Sequence, residues 1–562
     1  MGPRAGSSPW LGLFTEADSN TPEVRARNNV LGHCEPVLQS MAMAVEEMHP
    51  LATSERPGWM RADHVAIVLV LLWVAVCFAQ TLGFGFVNWD DQDYILHNPL
   101  VVSPHDVPLL HHFTTPEVGY PIPVTIASYR VEYALVGFGH PWVQHFVNLL
   151  IHLGNVGLVF ALARTVGIKT LGAAFAACLM GLHPIVSEPA SWITGRKDLL
   201  ALFFSLATLQ LAMGTSGKSS RPRRIGRALT FLLALFSKPV AIALAPVLVL
   251  IDMAGKDRRT HWLRRLWTAL TDNATEMVVT LAYLPLTWLG YRAFGASRTG
   301  EELASSLRSA WYGLGAHLAL LGGMEAPCVQ HMTPSFPPPL SLRFDLMPVM
   351  AGAAVAALLW RLRGRTRTVA AGALACSLLA YLPSSGIVPI RRFIADSYLY
   401  PVLPGVAIAL ALPMDGLLAW LGARERVPGD LRHLRLLRWA LVPALAICLG
   451  LLVIPASGRF RTTMDLWDDA RQRYPNHWRP CRNWAVAMRE IGGPAKALEA
   501  TDLCIARFGP NNLEKNRAMA LFELGRLEEA GAWMRRALAR EPYERNVPPA
   551  LLQLAEQAHH EP

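Results

Sequence analysis

Three carboxylates in four residues, Asp90, Asp91 and Asp93, lie in the stretch Phe86-Val87-Asn88-Trp89-Asp90-Asp91-Gln92-Asp93-Tyr94, directly after the first long apolar run of the chain. Acid groups at a membrane edge are costly to desolvate unless they are hydrated or used. Asp90 or Asp91 could act as a general base, or the turn could hold a divalent cation. The same spacing also suits a helix N-cap followed by a solvated acidic turn. Glu117 and Glu132 follow in the same loop and offer a second carboxylate.

Cations recur near apolar runs where a membrane protein ordinarily avoids them. His183 to Asp198 contains Glu188, Arg196, Lys197 and Asp198; Lys238 interrupts a long apolar stretch; Arg391 and Arg392 precede Ala395-Asp396-Ser397-Tyr398-Leu399-Tyr400. Positive charge on the outer face suggests an anionic partner such as a phosphate. Local pairing of Arg196 and Lys197 with Asp198 or Glu188, and snorkelling of Lys238 to headgroups, are the plainer alternatives. His145, Asn148, His152 and Asn155 share one helical face, and interhelical hydrogen bonding suits them better than metal binding.

The elements that must position these groups follow from composition. The chain has 562 residues, 52% hydrophobic and 17% charged, against about 25% charged in an ordinary soluble domain. This is a polytopic membrane pattern. The net charge of +10 sits in short connectors between apolar runs, as cytoplasmic loops require, and not in a nucleic-acid-binding patch. Basic stretches at Lys218 to Arg227, Lys256 to Arg265, Arg361 to Arg367 and Arg424 to Arg438 set the orientation. Residues 228–253 have basic flanks on both sides, which requires a hairpin of two short helices turning at Ser237-Lys238-Pro239. Leu307 to Met324 reads as an interfacial helix. The result is an all-α bundle of about eleven spans, with a cytoplasmic N-terminus and an exoplasmic C-terminus. Ionisable groups cluster at loop edges on one face, without the duplicated halves of a transporter.

Residues 1–62 read as a disordered cytoplasmic segment, 63–456 as the membrane domain and 457–562 as a soluble helical domain. In the last, Ala485, Gly492 and Ala497 recur as Ala518, Gly525 and Ala530, a period of about 33 that suits tetratricopeptide-like helix pairs. The eight cysteines are scattered without metal-ligand spacing, so neither disulfides nor zinc are expected, although Cys481 and Cys504 would meet if their segment were helical and antiparallel.

Taken in order, FVNWDDQDYILHNPLV, YPIPVTIASYRVEYALVGFGHPWVQHFVNLLIHLGN, HPIVSEPASWITGRKDLLALFF, LFSKPVAIALAPVLVLID and ADSYLYPVLPG, followed by the repeats, resemble the GT-C superfamily of polyprenyl-phosphate-sugar glycosyltransferases. The similarity is greatest to the transmembrane-and-tetratricopeptide O-mannosyltransferases and their bacterial relatives. That resemblance implies transfer of a sugar, mannose among the candidates, from a polyprenyl-phosphate donor to a hydroxyl of a protein or glycan at the exoplasmic face, with inversion. It implies a catalytic acid group at Asp90 or Asp91, to which the loop adds Glu117 as a candidate second carboxylate, and donor-phosphate contacts from Arg196, Lys197, Lys238 and Arg391, with Arg392 as the fallback; His183, Glu188, Asp198, Asp396, Tyr398 and Tyr400 are the expected supporting residues. Relatives often carry Arg where this chain has Ser397, so either Arg391 or Arg392 compensates or that phosphate contact is lost. No cofactor is implied; the divalent cation at the acidic turn stays an alternative read from the carboxylates themselves. The expected partners are the lipid-linked donor, the acceptor, the bilayer and a protein docked on the repeats. A bacterial inner membrane with a periplasmic site is the expected location, or the ER membrane in a eukaryote. The competing reading is a non-catalytic membrane scaffold that recruits partners through the repeats.

Overall fold

The computed structural model describes residues 58–103, 107, 111, 120–213, 220–254, 260–293, 303–332, 338–387, 392–424, 432–510, 512–540 and 547–557. Glu117, Arg391 and the segment 1–57 lie outside the described residues, as do parts of the basic connectors. Among the described residues every regular element is helical. The membrane part comprises α1 (Gly58–Phe78), α2 (Pro123–Val136), α3 (Pro141–Thr165), α4 (Thr170–Leu182), α5 (Arg196–Met213), α6 (Arg221–Ser237), α7 (Leu244–Ala254), α8 (Trp262–Asp272), α9 (Ala274–Ala293), α10 (Leu303–Leu321), α11 (Leu342–Arg361), α12 (Gly364–Tyr381), α13 (Leu403–Arg424) and α14 (Arg432–Gly458). Beyond it lie α15 (Thr463–Arg473), α16 (Trp478–Phe508), α17 (Glu514–Glu523), α18 (Leu527–Arg540) and α19 (Pro549–Gln557).

Among the described residues, five helices are long and apolar enough to cross a bilayer, at Ala62–Gly83, Pro141–Thr165, Leu342–Arg361, Leu403–Arg424 and His433–Gly458; a sixth arises if Thr170–Leu182 and Pro184–Ser191, bent by 47°, form one span. The chain is an integral membrane protein. The other apolar helices counted from sequence toward eleven are shorter or less apolar. The expected break falls where the sequence puts it: α6 ends at Ser237, Lys238 is extended (φ −160°, ψ 136°) and Pro239 opens the next helical turn. A residue preceding proline is sterically driven out of the helical region, so the break also sets the direction of the Lys238 side chain.

Helices α1, α3, α4, α5, α12, α13 and α14 share one apolar core, which includes Val74, Val156, Ala176, Leu206, Ala373 and Ala407. The α12–α13 crossing is close because Gly405 has no side chain: a Cβ there would lie 2.3 Å from the Ala373 carbonyl oxygen. The polar stripe on α3 is buried and bonds across helices as expected. Asn148 Nδ2 donates to the carbonyls of Trp192 and Ile193 at 3.0 Å each, and Asn155 Nδ2 donates to Leu199 O at 3.1 Å and Tyr400 Oη at 3.0 Å. These bonds tie α3 to the segment running into α5, which carries most of the charged groups described below.

Successive helices α15 to α19 pack against one another. The backbone of α16 bends at Gly492 and Gly493 (φ 67° at the latter), and its two limbs bring Cys481 and Cys504 together as a disulfide with Cα atoms 5.9 Å apart. The expectation of no disulfide is corrected here, because the bend supplies the antiparallel geometry that the spacing alone left conditional. The recurring alanines Ala485, Ala518, Ala497 and Ala530 are all buried, where small side chains allow close helix approach.

Candidate functional site

The acidic turn leaves α1 through a 3-10 turn, Ala79–Gly83, and packs against the loop before α5. Asp91 is fully buried. Its Oδ2 accepts the Val87 N–H at 2.9 Å, and its Oδ1 accepts the Thr194 hydroxyl. Burial, opposed by these bonds, pushes the Asp91 carboxyl up to about 6. Asp90 differs: its side chain is 31% exposed, and Oδ2 lies 4.0 Å from Lys197 Nζ. Burial raises its pKa from the ordinary aspartate range, while Lys197 and Arg392 pull it down. The two neighbours therefore have different capacities. Asp91 is committed to holding Val87 and Thr194, and Asp90 presents a carboxylate to the opening.

Lys197 lies over the rings of Trp192 and Tyr94, 4.5 and 4.7 Å from their centroids, and donates to the Thr194 carbonyl at 3.0 Å. Lys238 reaches from the α6 break to Asp198 Oδ1 at 2.6 Å, with the Tyr398 ring 5.9 Å away. Arg392 forms a two-pronged pair with Glu188, at 2.5 and 2.9 Å, and donates to Val329 O at 2.5 Å. Its guanidinium also covers the Trp89 ring at 4.9 Å. Trp89 in turn stacks on Trp192 at 4.4 Å. The charges of Asp90, Lys238, Asp198 and Glu188 all act on Lys197. Residues dispersed from 90 to 392 thus form one alternating cluster of three cations and several carboxylates.

An apolar cavity starts at this cluster. It is lined by Asp198 at one end and by Leu202, Leu206, Leu244, Val247 and Ile408 among others, and its volume is about 120 Å³. A polar head at Asp198 and Lys238, with an apolar tail between α5, α7, α12 and α13, is the chemistry this shape accommodates.

Other residues singled out in the sequence lie apart from the opening. Arg196 has no exposed surface. It donates to Asn148 Oδ1 at 2.7 Å and Gln144 O at 2.9 Å, pairs with Glu132 and covers the Tyr129 ring at 4.4 Å. Its donors are consumed inside the protein, apart from the cluster of Lys197, Lys238 and Arg392. Arg196→Met should therefore act on stability, lowering it by about 3–5 kcal/mol through the unpaired Glu132. Adding Glu132→Gln should recover most of that loss in thermal unfolding of the detergent-solubilised protein. His183 caps the turn after α4, accepting from Ile185 N at 3.3 Å, and bonds Leu321 O at 3.1 Å. Asp396 is buried against His331, with Oδ1 to Nε2 2.8 Å. Tyr400 lies within the bundle, its hydroxyl 2.8 Å from His152 Nδ1. Tyr398, by contrast, borders the charged cluster: its ring is 5.9 Å from Lys238 Nζ and its hydroxyl donates to Arg392 O at 2.8 Å. Among the described residues, no three His, Cys, Asp or Glu side chains gather as for a metal ion. Sequence reasoning misses Thr194 and Trp192; their only signal is a place in the loop beside Arg196 and Lys197.

No family model matches the chain. It is 33% identical over 143 residues to the protein O-mannosyl-transferase Tmtc2 of Drosophila melanogaster, covering 24% of this chain and 15% of that protein. It is 32% identical over 157 residues to human TMTC4, covering 24% and 21%, and 26% identical over 239 residues to the Caenorhabditis elegans protein O-mannosyl-transferase F38B6.6, covering 39% and 33%. The matched segments thus span between 15% and 33% of these relatives' own length. Among solved structures, ArnT from Cupriavidus metallidurans in the apo state aligns with a TM-score of 0.40 at 16% identity over 74% of this chain and 80% of that one. The same protein bound to undecaprenyl phosphate aligns with a TM-score of 0.38 at 16% identity, covering 88% and 84%. By its sequence matches, the chain is distantly similar to the protein O-mannosyl-transferases, along part of its length.

Proposed function

We propose that the protein is an inverting membrane glycosyltransferase that moves a sugar from a polyprenyl phosphate to an acceptor hydroxyl on a protein or glycan. One observation carries the reading: a partly open carboxylate, Asp90, faces Lys197 and Arg392, and the same charged cluster runs on through Lys238 to Asp198, which lines an apolar cavity. The isoprenoid tail occupies the cavity and its phosphate meets the cations. Asp90 takes the acceptor hydroxyl proton as that oxygen attacks the anomeric carbon from the face opposite the phosphate. The bond from carbon to phosphate oxygen breaks with its electron pair on the lipid phosphate, and the cations stabilise that growing charge. Asp91 holds the turn through Val87 and Thr194. Mannose is the sugar suggested by the relatives' names. The C-terminal helices are a short tetratricopeptide-like domain on the exoplasmic side, a placement the Cys481–Cys504 pair supports, since disulfides persist in oxidising compartments. A bacterial inner membrane is the proposed setting.

The test is transfer of radiolabel from polyprenyl-phosphate mannose to protein or glycan in membranes carrying the chain. Absence of transfer from any lipid-linked sugar tried would overturn the reading. The pH profile gives a second check. A general base works ionised, so kcat/KM should fall as pH drops through the Asp90 pKa. Burial raises that pKa, and the acidic limb should therefore lie above about 3.9, the ordinary aspartate value. Activity undiminished down to that value would exclude Asp90 as the base.

A further inference from the structure

We propose that α15 is a clamp on the acidic turn, with Thr463 and Trp467 as positioning residues for Asp90; the catalytic part of this inference rests on the function proposed above. The Asn88 backbone, two residues before Asp90, is held at both ends from the C-terminal segment. Its N–H donates to Thr463 Oγ1 at 3.0 Å, and its carbonyl accepts from Trp467 Nε1 at 3.3 Å. Further back, Gly85 N donates to Arg461 O at 3.3 Å. The Thr463 hydroxyl donates to Glu490 Oε1 at 2.9 Å. A hydroxyl has one proton to give and lone pairs to spare, so Glu490 takes the proton and leaves an oxygen lone pair aimed at Asn88. Glu490 lies on the first limb of α16, the limb that the disulfide ties to the second.

The contact is also apolar. Phe84 and Val87 of the turn share a buried cluster with Trp192, Val329, Phe460, Leu466, Trp467 and Ala470. Trp467 meets the Trp89 ring edge-on, with centroids 5.9 Å apart. Trp89 is the ring stacked on Trp192 and covered by Arg392. Through this stack the same helix that fixes the backbone beside Asp90 also borders the cation Arg392. The carboxylate and one of its cations are thus set relative to each other by residues on α15.

The experiment uses the full-length chain in detergent or membranes. Thr463→Val keeps the shape and removes the hydroxyl, Thr463→Ser restores it, and Trp467→Phe keeps an aromatic ring but removes the N–H. Small displacements of a reacting group cost as much as about 100-fold in rate. The valine and phenylalanine variants should therefore lose about 10- to 100-fold in kcat with donor KM changed less than about twofold, while the serine variant stays near the unsubstituted protein. Full kcat in both Thr463→Val and Trp467→Phe would overturn the positioning role. Hydrogen exchange at the Asn88 amide tests the clamp without reference to catalysis. Exchange should quicken in Thr463→Val and not in Thr463→Ser; equal protection in all three proteins would refute the clamp. A chain that transfers no sugar yet shows this exchange pattern retains the clamp and loses the glycosyltransferase reading.

Discussion

Asp90→Asn is expected to reduce sugar transfer by about 10²- to 10⁴-fold, the usual contribution of a general base, while membrane insertion and the fold persist. The amide keeps the size of the carboxylate and cannot take a proton from the attacking hydroxyl. The side chain is partly open and its nearest cation, Lys197, is 4.0 Å away, so its replacement breaks no tight bond. Asp91→Asn should behave differently. That carboxylate receives the Val87 N–H and the Thr194 hydroxyl, and an amide offers one acceptor oxygen in place of two. The turn should loosen, and the loss should appear in thermal stability as well as in rate. Steady-state transfer together with melting of the purified protein separates the two. Equal rate losses with no stability change in either variant would count against the assignment of roles.

Lys238→Met should impair both donor use and folding. Lys238 pairs with Asp198, which lines the cavity and whose side chain is 4% exposed. Loss of one preorganised charge that stabilises a leaving phosphate costs about 10²- to 10³-fold in kcat, by analogy with other oxyanion stabilisers. The same change leaves Asp198 buried without a partner, a penalty of about 3–5 kcal/mol. Combining Lys238→Met with Asp198→Asn removes the stranded charge, so stability should return while transfer stays low. Recovery of transfer in the double variant would mean that Lys238 serves only to neutralise Asp198 and contributes nothing to the donor.

Much of this arrangement is legible in the residues themselves. The span after Pro141, the interhelical bonds of Asn148 and Asn155, and the break at Lys238 follow from period, polarity and proline geometry, which are local. The difference between Asp90 and Asp91 is not local. It depends on Thr194, distant in the chain, reaching one carboxylate and not the other. Arg196 and Lys197 are likewise indistinguishable as neighbours in sequence. A helix turns successive side chains by about 100°, so one points into the bundle toward Glu132 and the other toward Asp90. By repeat spacing, the stretch Trp467 to Pro475 reads as the second half of a unit preceding the two marked by the alanines; that reading hides the bond of Trp467 to the acidic turn, because periodicity reports how helices pair with one another and not what else they touch.

The cluster shared by Phe84, Val87, Phe460 and Trp467 bears on how this protein can be taken apart. A cut placed near residue 457, where composition changes from apolar to charged, would run through a single hydrophobic interior and strip both fragments of their covering. Fragment expression and chimeras that graft foreign helical arrays should put their seam beyond Phe508, so that α15 and both limbs of α16, which carry Ala487, Glu490 and the disulfide, travel with the bilayer-embedded half.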